Sequence, residues 1–184
     1  MPPGVLAAVD GPHAALNLDT SSGKPDWRFL LRSPWHFVAL GFGSGLPRLA
    51  PGTWGTVFAW ISFVVLDRWL SDAQMAALIG VSFVLGAVAA QRTGIRLGVI
   101  DSGHIVIDEI VAFWAVLLML PERAPGWMAA AAFLLFRLFD IAKPAPIKRL
   151  DARIKNGFGV MIDDAVAAFY TLLVIAVYWR ISRG

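Results

Sequence analysis

The feature that most constrains this chain is an alternation. From Ser33 onward, runs without a single charged residue cover positions 53–66, 73–91, 110–120, 124–136 and 165–179, and short connectors rich in Gly, Pro and charge separate them. Leu, Ala, Met and Phe dominate several runs, which favours helix over strand. A free-standing spanning helix needs roughly twenty apolar residues, about seventeen at the least, and only 73–91 meets this comfortably. The other runs must recruit polar flanks, lie in the interface, or form a buried core. The expectation is an all-α, compact multi-helix bundle that is membrane-associated or integral.

Composition supports membrane contact. Hydrophobic residues make up 58% of the 184 and charged residues only 16%, with a mean hydropathy of +0.66. A formal charge of +3 gives no indication of nucleic acid as a partner. The absence of cysteine excludes disulfides, thiolate metal sites and a cysteine nucleophile, so any chemistry rests on oxygen and nitrogen groups. Residues 1–32 mix Pro, Gly and scattered charge without period and are expected to be a loose N-terminal extension to a helical domain at 33–184. Asp10 and His13 precede any basic residue, unlike a secretory signal, so the N-terminus is expected to stay in the cytoplasm.

If the five runs alternate in direction, 33–52, 92–109 and 137–164 share one side. That side collects Arg48, Arg92, Arg96, Arg137, Lys143, Lys148, Arg149, Arg153 and Lys155, against Arg68, Arg123, Arg180 and Arg183 on the other. The positive-inside tendency makes the first side cytoplasmic.

The polar clusters gather on that same side. Asp101, His104, Asp108 and Glu109 precede the run at 110. Read as helix, His104 and Asp108 share a face, and Glu109 stands where solvation is costly. Acids at a helix N-terminus also suit the macrodipole with no further role. Arg137, Asp140 and Lys143 recur at three-residue spacing before Pro144 and Pro146, an arrangement that suits phosphate binding or a structural ion-pair ladder. Asp163 and Asp164 adjoin the run at 165. Paired carboxylates at an apolar boundary call for a compensating cation, and Mg²⁺, a hard ion that also binds phosphate, is the economical one.

The stretch Gly41-Phe42-Gly43-Ser44-Gly45 through Gly52-Thr53-Trp54-Gly55 leads into an apolar helix and offers backbone amides to an anion. It fits neither the P-loop pattern nor the dinucleotide fingerprint. Together the clusters describe a metal-dependent site for a phosphorylated lipid on a membrane surface.

Four motifs in order carry a family resemblance: Gly43-Ser44-Gly45-Leu46 with Ala50-Pro51-Gly52-Thr53-Trp54-Gly55; Ile105-Val106-Ile107-Asp108-Glu109; Phe136-Arg137-Leu138-Phe139-Asp140-Ile141-Ala142-Lys143-Pro144; and Gly157-Phe158-Gly159-Val160-Met161-Ile162-Asp163-Asp164. Over about residues 33–175 the chain resembles the phosphatidylglycerophosphatase A family. The resemblance implies a compact helical fold and a Mg²⁺-dependent hydrolase converting phosphatidylglycerophosphate to phosphatidylglycerol and phosphate. It further implies the bacterial inner membrane, with the active site facing the cytoplasm. Ala112 and Ala167 or Ala168 stand where members often have glycine, which bears on packing.

On this reading the metal ligands come from Asp101, Asp108, Glu109, Asp163 and Asp164, and the catalytic set is Asp108, Glu109, Asp140, Asp163 and Asp164. Thr53, Gly55, Arg137 and Lys143 are expected to bind phosphate, and His104 is a candidate leaving-group acid or a structural histidine. Attack by water and attack by an aspartate both remain open. The rival is a small ion-coupled carrier using buried carboxylates, which the placement of charge at run ends opposes. A prenyl-diphosphate enzyme would need a further carboxylate near Asp163-Asp164 that the chain lacks.

Overall fold

The computed structural model describes residues 24–121, 124–143 and 156–183. Among them the ordered elements are all helical. They are α1 (Trp27–Leu31), α2 (Pro34–Ala39), a 3₁₀ turn (Gly41–Gly43), α3 (Pro51–Leu66), α4 (Asp72–Leu97), α5 (Ile107–Leu118), α6 (Trp127–Ala142) and α7 (Gly157–Arg183).

Each apolar run has become a helix, with boundaries shifted outward where polar flanks could be capped. In α4, Ser71 and Gln74 form a reciprocal capping box, which satisfies orphan amides of the first turn. At its other end Gly98 takes a left-handed conformation (φ 75°), and its N–H returns to the carbonyls of Gly94 and Ile95, a stop that glycine makes without strain. In α6 the last helical residue is Ala142, and Lys143 follows with φ 39°. Pro144 and Pro146, expected to end that helix, lie outside the described residues.

Helix α5 is the axis of the bundle. It packs against α3, α4, α6 and α7, and every residue from Ile107 to Leu117 except Ala115 is buried. A helix apolar all round must be enclosed by protein or lipid, and here protein encloses it. Phe113, Phe136, Ile110, Val116 and Met128 form the inner core. Trp114 donates its indole N–H to the Ala59 carbonyl at 3.0 Å, tying α5 to α3.

Helices α4 and α7 are long and apolar enough to cross a membrane, and within their most apolar stretches only 22% and 44% is buried in the protein. A core helix of a soluble protein would be mostly enclosed. Val81, Val84 and Leu85 of α4 and Phe169, Leu173 and Val177 of α7 are exposed instead, and so large an apolar surface identifies a membrane-associated protein.

Two expectations need correcting. The stretch up to residue 32 is not loose throughout: Asp26 caps α1 by accepting from the Phe29 amide at 2.8 Å, Phe29 stacks on His36, and Leu30 is buried. A single capped turn with two apolar contacts suffices to order it against α2. The second concerns His104, which shares no helical face with Asp108, because the chain is non-helical from 99 to 106 and α5 begins only at Ile107.

Candidate active site

Three helices bring the acids together. Asp108 and Glu109 occupy the first turn of α5, Asp140 the last turn of α6, and Asp163 and Asp164 the second turn of α7. Close approach of α7 to α4 fixes the last pair, because a β-carbon on Gly157 would collide with the Ala87 carbonyl. The Gly157 amide also donates to the Gln91 side chain at 2.7 Å.

One carboxylate oxygen each from Asp108, Glu109 and Asp164 lie within 4.8 Å of one another, and all three residues are buried. Asp108 Oδ1, Glu109 Oε2 and Asp164 Oδ2 are buried without a hydrogen-bond partner among the described residues. Orphaned buried oxygens on three converging acids are costly unless a cation binds there. Burial pushes the Asp108 carboxyl well above its ordinary range, with the Glu109 charge adding to the effect. Burial, and then the Asp164 charge, push Glu109 up to about 8. This donor set fits a hard divalent cation.

A cleft of about 280 Å³ opens over the triad. Its walls include Asp101, Asp108, Glu109, Asp140, Lys143, Asp163 and Asp164. Lys143 Nζ stands 3.7 Å from Asp101 and 3.6 Å from Asp163. Thus the five acids expected as metal ligands divide: three converge, while Asp101 and Asp163 face the lysine.

Arg137 lies behind the wall. Its Nη1 hydrogen-bonds Asp140 of its own helix and stands 3.6 Å from Glu109 Oε1, so the Glu109 contact joins α6 to α5. Thr53 and Gly55 likewise do not line the cleft. Gly55 packs so that a β-carbon would strike Val106, and one on Gly52 would strike Glu109. His104 Nδ1 donates to the Gly45 carbonyl oxygen at 2.7 Å; as a carbonyl can only accept, Nδ1 carries the proton. It fastens the 99–106 connector to the glycine-rich segment and does not line the cleft. The residue that sequence reasoning undervalued is Gly52, whose need for glycine depends on a side chain 57 positions away and leaves no local signal.

Residues 37–179 match the phosphatidylglycerophosphatase A family. The chain belongs to that family. It is therefore a phosphatase acting on a phosphate monoester. A phosphatidylglycerophosphatase A from Haemophilus influenzae is 41% identical, covering 88% of this chain and 99% of the relative. One from Escherichia coli is 37% identical over 84% of this chain and 91% of its own length. A relative from Bacteroides thetaiotaomicron, provisionally named a phosphatidylinositol-3-phosphatase, is also 37% identical, covering 76% of this chain and 90% of its own. No solved structure matches.

Proposed function

We propose that this phosphatase hydrolyses the terminal phosphate monoester of phosphatidylglycerophosphate, giving phosphatidylglycerol and phosphate, at the cytoplasmic face of a bacterial inner membrane. The observation that carries the chemistry is the convergence of Asp108, Glu109 and Asp164 with their orphaned oxygens. These three residues would hold Mg²⁺. When bound, Mg²⁺ would supply charge neutralisation at the phosphate oxygens and lower the pKa of water.

The chain's own groups do the rest. Lys143, on the cleft wall, offers a point charge to the phosphate and is kept there by Asp101 and Asp163. Arg137 fixes Glu109 and Asp140 in place, so its contribution is orientation. Asp140 lines the cleft outside the triad and is oriented by that arginine, which suits a group accepting the proton of attacking water. Family membership supports this reading over an ion-coupled carrier.

The test is phosphate release by purified protein in mixed micelles, with phosphatidylglycerophosphate and phosphatidylinositol 3-phosphate as parallel substrates, each with Mg²⁺ and with EDTA. Release from the first lipid alone, abolished by EDTA, is expected. Preference for the inositol lipid would overturn the substrate, and undiminished release in EDTA would overturn the metal.

A further inference from the structure

The acidic cleft is not the only cavity on the α6–α7 pair. A second, of about 180 Å³, is lined by Trp127, Met128, Ala131 and Leu135 of α6 and Val174, Ile175 and Tyr178 of α7. We infer that this slot seats the methyl-end portion of an acyl chain belonging to the lipid whose headgroup occupies the acidic cleft. The inference rests on the proposed lipid substrate and adds where its apolar part binds.

Placement argues for it first. With a rise of about 1.5 Å per residue, the slot begins ~8 Å along α6 from Asp140 and ~15 Å along α7 from Asp164, and it ends ~20 Å from both. One leaflet of hydrocarbon is about 15 Å deep, half of the ~30 Å core. A lipid with its phosphate at the carboxylates and its chains parallel to α7 would carry its chain ends into the slot.

Size and lining agree. No charged side chain borders the slot, and an apolar cavity of ~150 Å³ stays dry and accepts a guest of about six carbons. Between cleft and slot, Phe139 and Tyr170 pair at 5.7 Å, giving an apolar wall along the path. Trp127 and Tyr178 meet edge-to-face at 5.8 Å at the far end. Leu138, one turn from Leu135 on α6, is exposed, as is Phe169, which meets the Tyr170 ring edge-on, so a chain can enter sideways from the bilayer without leaving an apolar environment.

Because lipid tails are as apolar as the slot, transfer between them gains little, and selection must come from fit. The slot should therefore act on chain length. The experiment compares phosphatidylglycerophosphates with eight-carbon and sixteen-carbon chains in mixed micelles, using wild type, Ala131→Phe to fill the slot and Leu135→Ala to widen it. Filling should lower kcat/KM for the long-chain lipid relative to the short by roughly tenfold, the usual scale for one steric misfit in an apolar pocket, and widening should not. An unchanged ratio in Ala131→Phe overturns the inference. A second arm needs no turnover: wild-type protein in vesicles of phosphatidylglycerol carrying a diazirine at the chain end is irradiated and the adducts mapped. Adducts concentrated at 127–135 and 174–178 support the slot even if no lipid is hydrolysed, in which case only the substrate reading falls. Adducts spread evenly over α3, α4 and α7 overturn it.

Discussion

Glu109 fills the space that a β-carbon on Gly52 would need, and the guanidinium of Arg137 stands against the same space at 3.0 Å. The first turn of α3 is thus pressed against the pair that joins α5 to α6. Gly52→Ala should displace Glu109 by about 1 Å and lower turnover on the order of 100-fold, the scale of such a misplacement. Helical content should survive. Gly80, in α4, has open space around it, so Gly80→Ala should stabilise by about 0.5–1 kcal/mol with unchanged kinetics. Circular dichroism, thermal melts and phosphate release on both variants make the comparison, and equal activity in the two would remove the positioning role of Gly52.

The charge state of the triad gives a pH prediction. Unfolded, Glu109 releases its proton near its ordinary 4.5, whereas folded without metal it holds it to about 8. The folded state therefore binds the extra proton across that window, so metal-free stability is full below it and falls as pH rises through it. Mg²⁺ must displace the proton, and its affinity should rise with pH over the same interval. Melts in EDTA at pH 5 and pH 8, with calorimetric titrations in two buffers of different ionisation enthalpy, check both signs. Stability that rises with pH in EDTA would contradict the buried, protonated triad.

Lys143 and Arg137 should separate kinetically. Lys143→Ala removes a cleft-wall cation while leaving the triad, so turnover should fall about tenfold or more with little change in the Mg²⁺ needed for half-maximal rate. Arg137→Lys keeps the charge but loses the rigid planar guanidinium whose Nη1 meets both Glu109 and Asp140. It should raise that Mg²⁺ requirement, because a ligand is no longer held. Mg²⁺ titrations of both variants decide, and a reversed pattern would make Arg137 the phosphate group.

Much of this architecture is readable from the residues. The uncharged runs become α3 to α7, and of the three residues spaced by three, Arg137 and Asp140 lie on α6 while Lys143 falls just past its end in a left-handed conformation. What escapes is set by tertiary contact. The run at 110–120 is apolar all round, which fits a membrane helix and a core helix equally well, and only its neighbours make α5 the axis. Glycines 45, 52 and 55 look like an anion cradle because both uses of glycine need the same missing β-carbon; in the fold they admit the His104 carbonyl, Glu109 and Val106. His104 leaves the expected helix because Gly98 stops α4 and the connector needs an anchor at Gly45. Lys148, Arg149, Arg153 and Lys155, on which sidedness leaned, lie outside the described residues.

Sidedness has its own test. Asn156 immediately precedes α7, on the side of the acidic cleft, and the chain contains no cysteine. A cysteine introduced there should react with an impermeant maleimide only after the inner membrane is opened. Labelling in intact spheroplasts would place the cleft on the outer face.

The most direct measurement of the central claim is divalent-cation binding by the purified protein, followed by Mn²⁺ electron paramagnetic resonance with Mg²⁺ as competitor. Wild type should bind an ion that Mg²⁺ displaces, Asp101→Asn should retain it, and Asp108→Asn, Glu109→Gln and Asp164→Asn should each weaken it at least tenfold while remaining folded. Binding that persists unchanged in the three triad variants, or that is lost only in Asp101→Asn, would contradict the assignment of the metal to the buried carboxylates of α5 and α7.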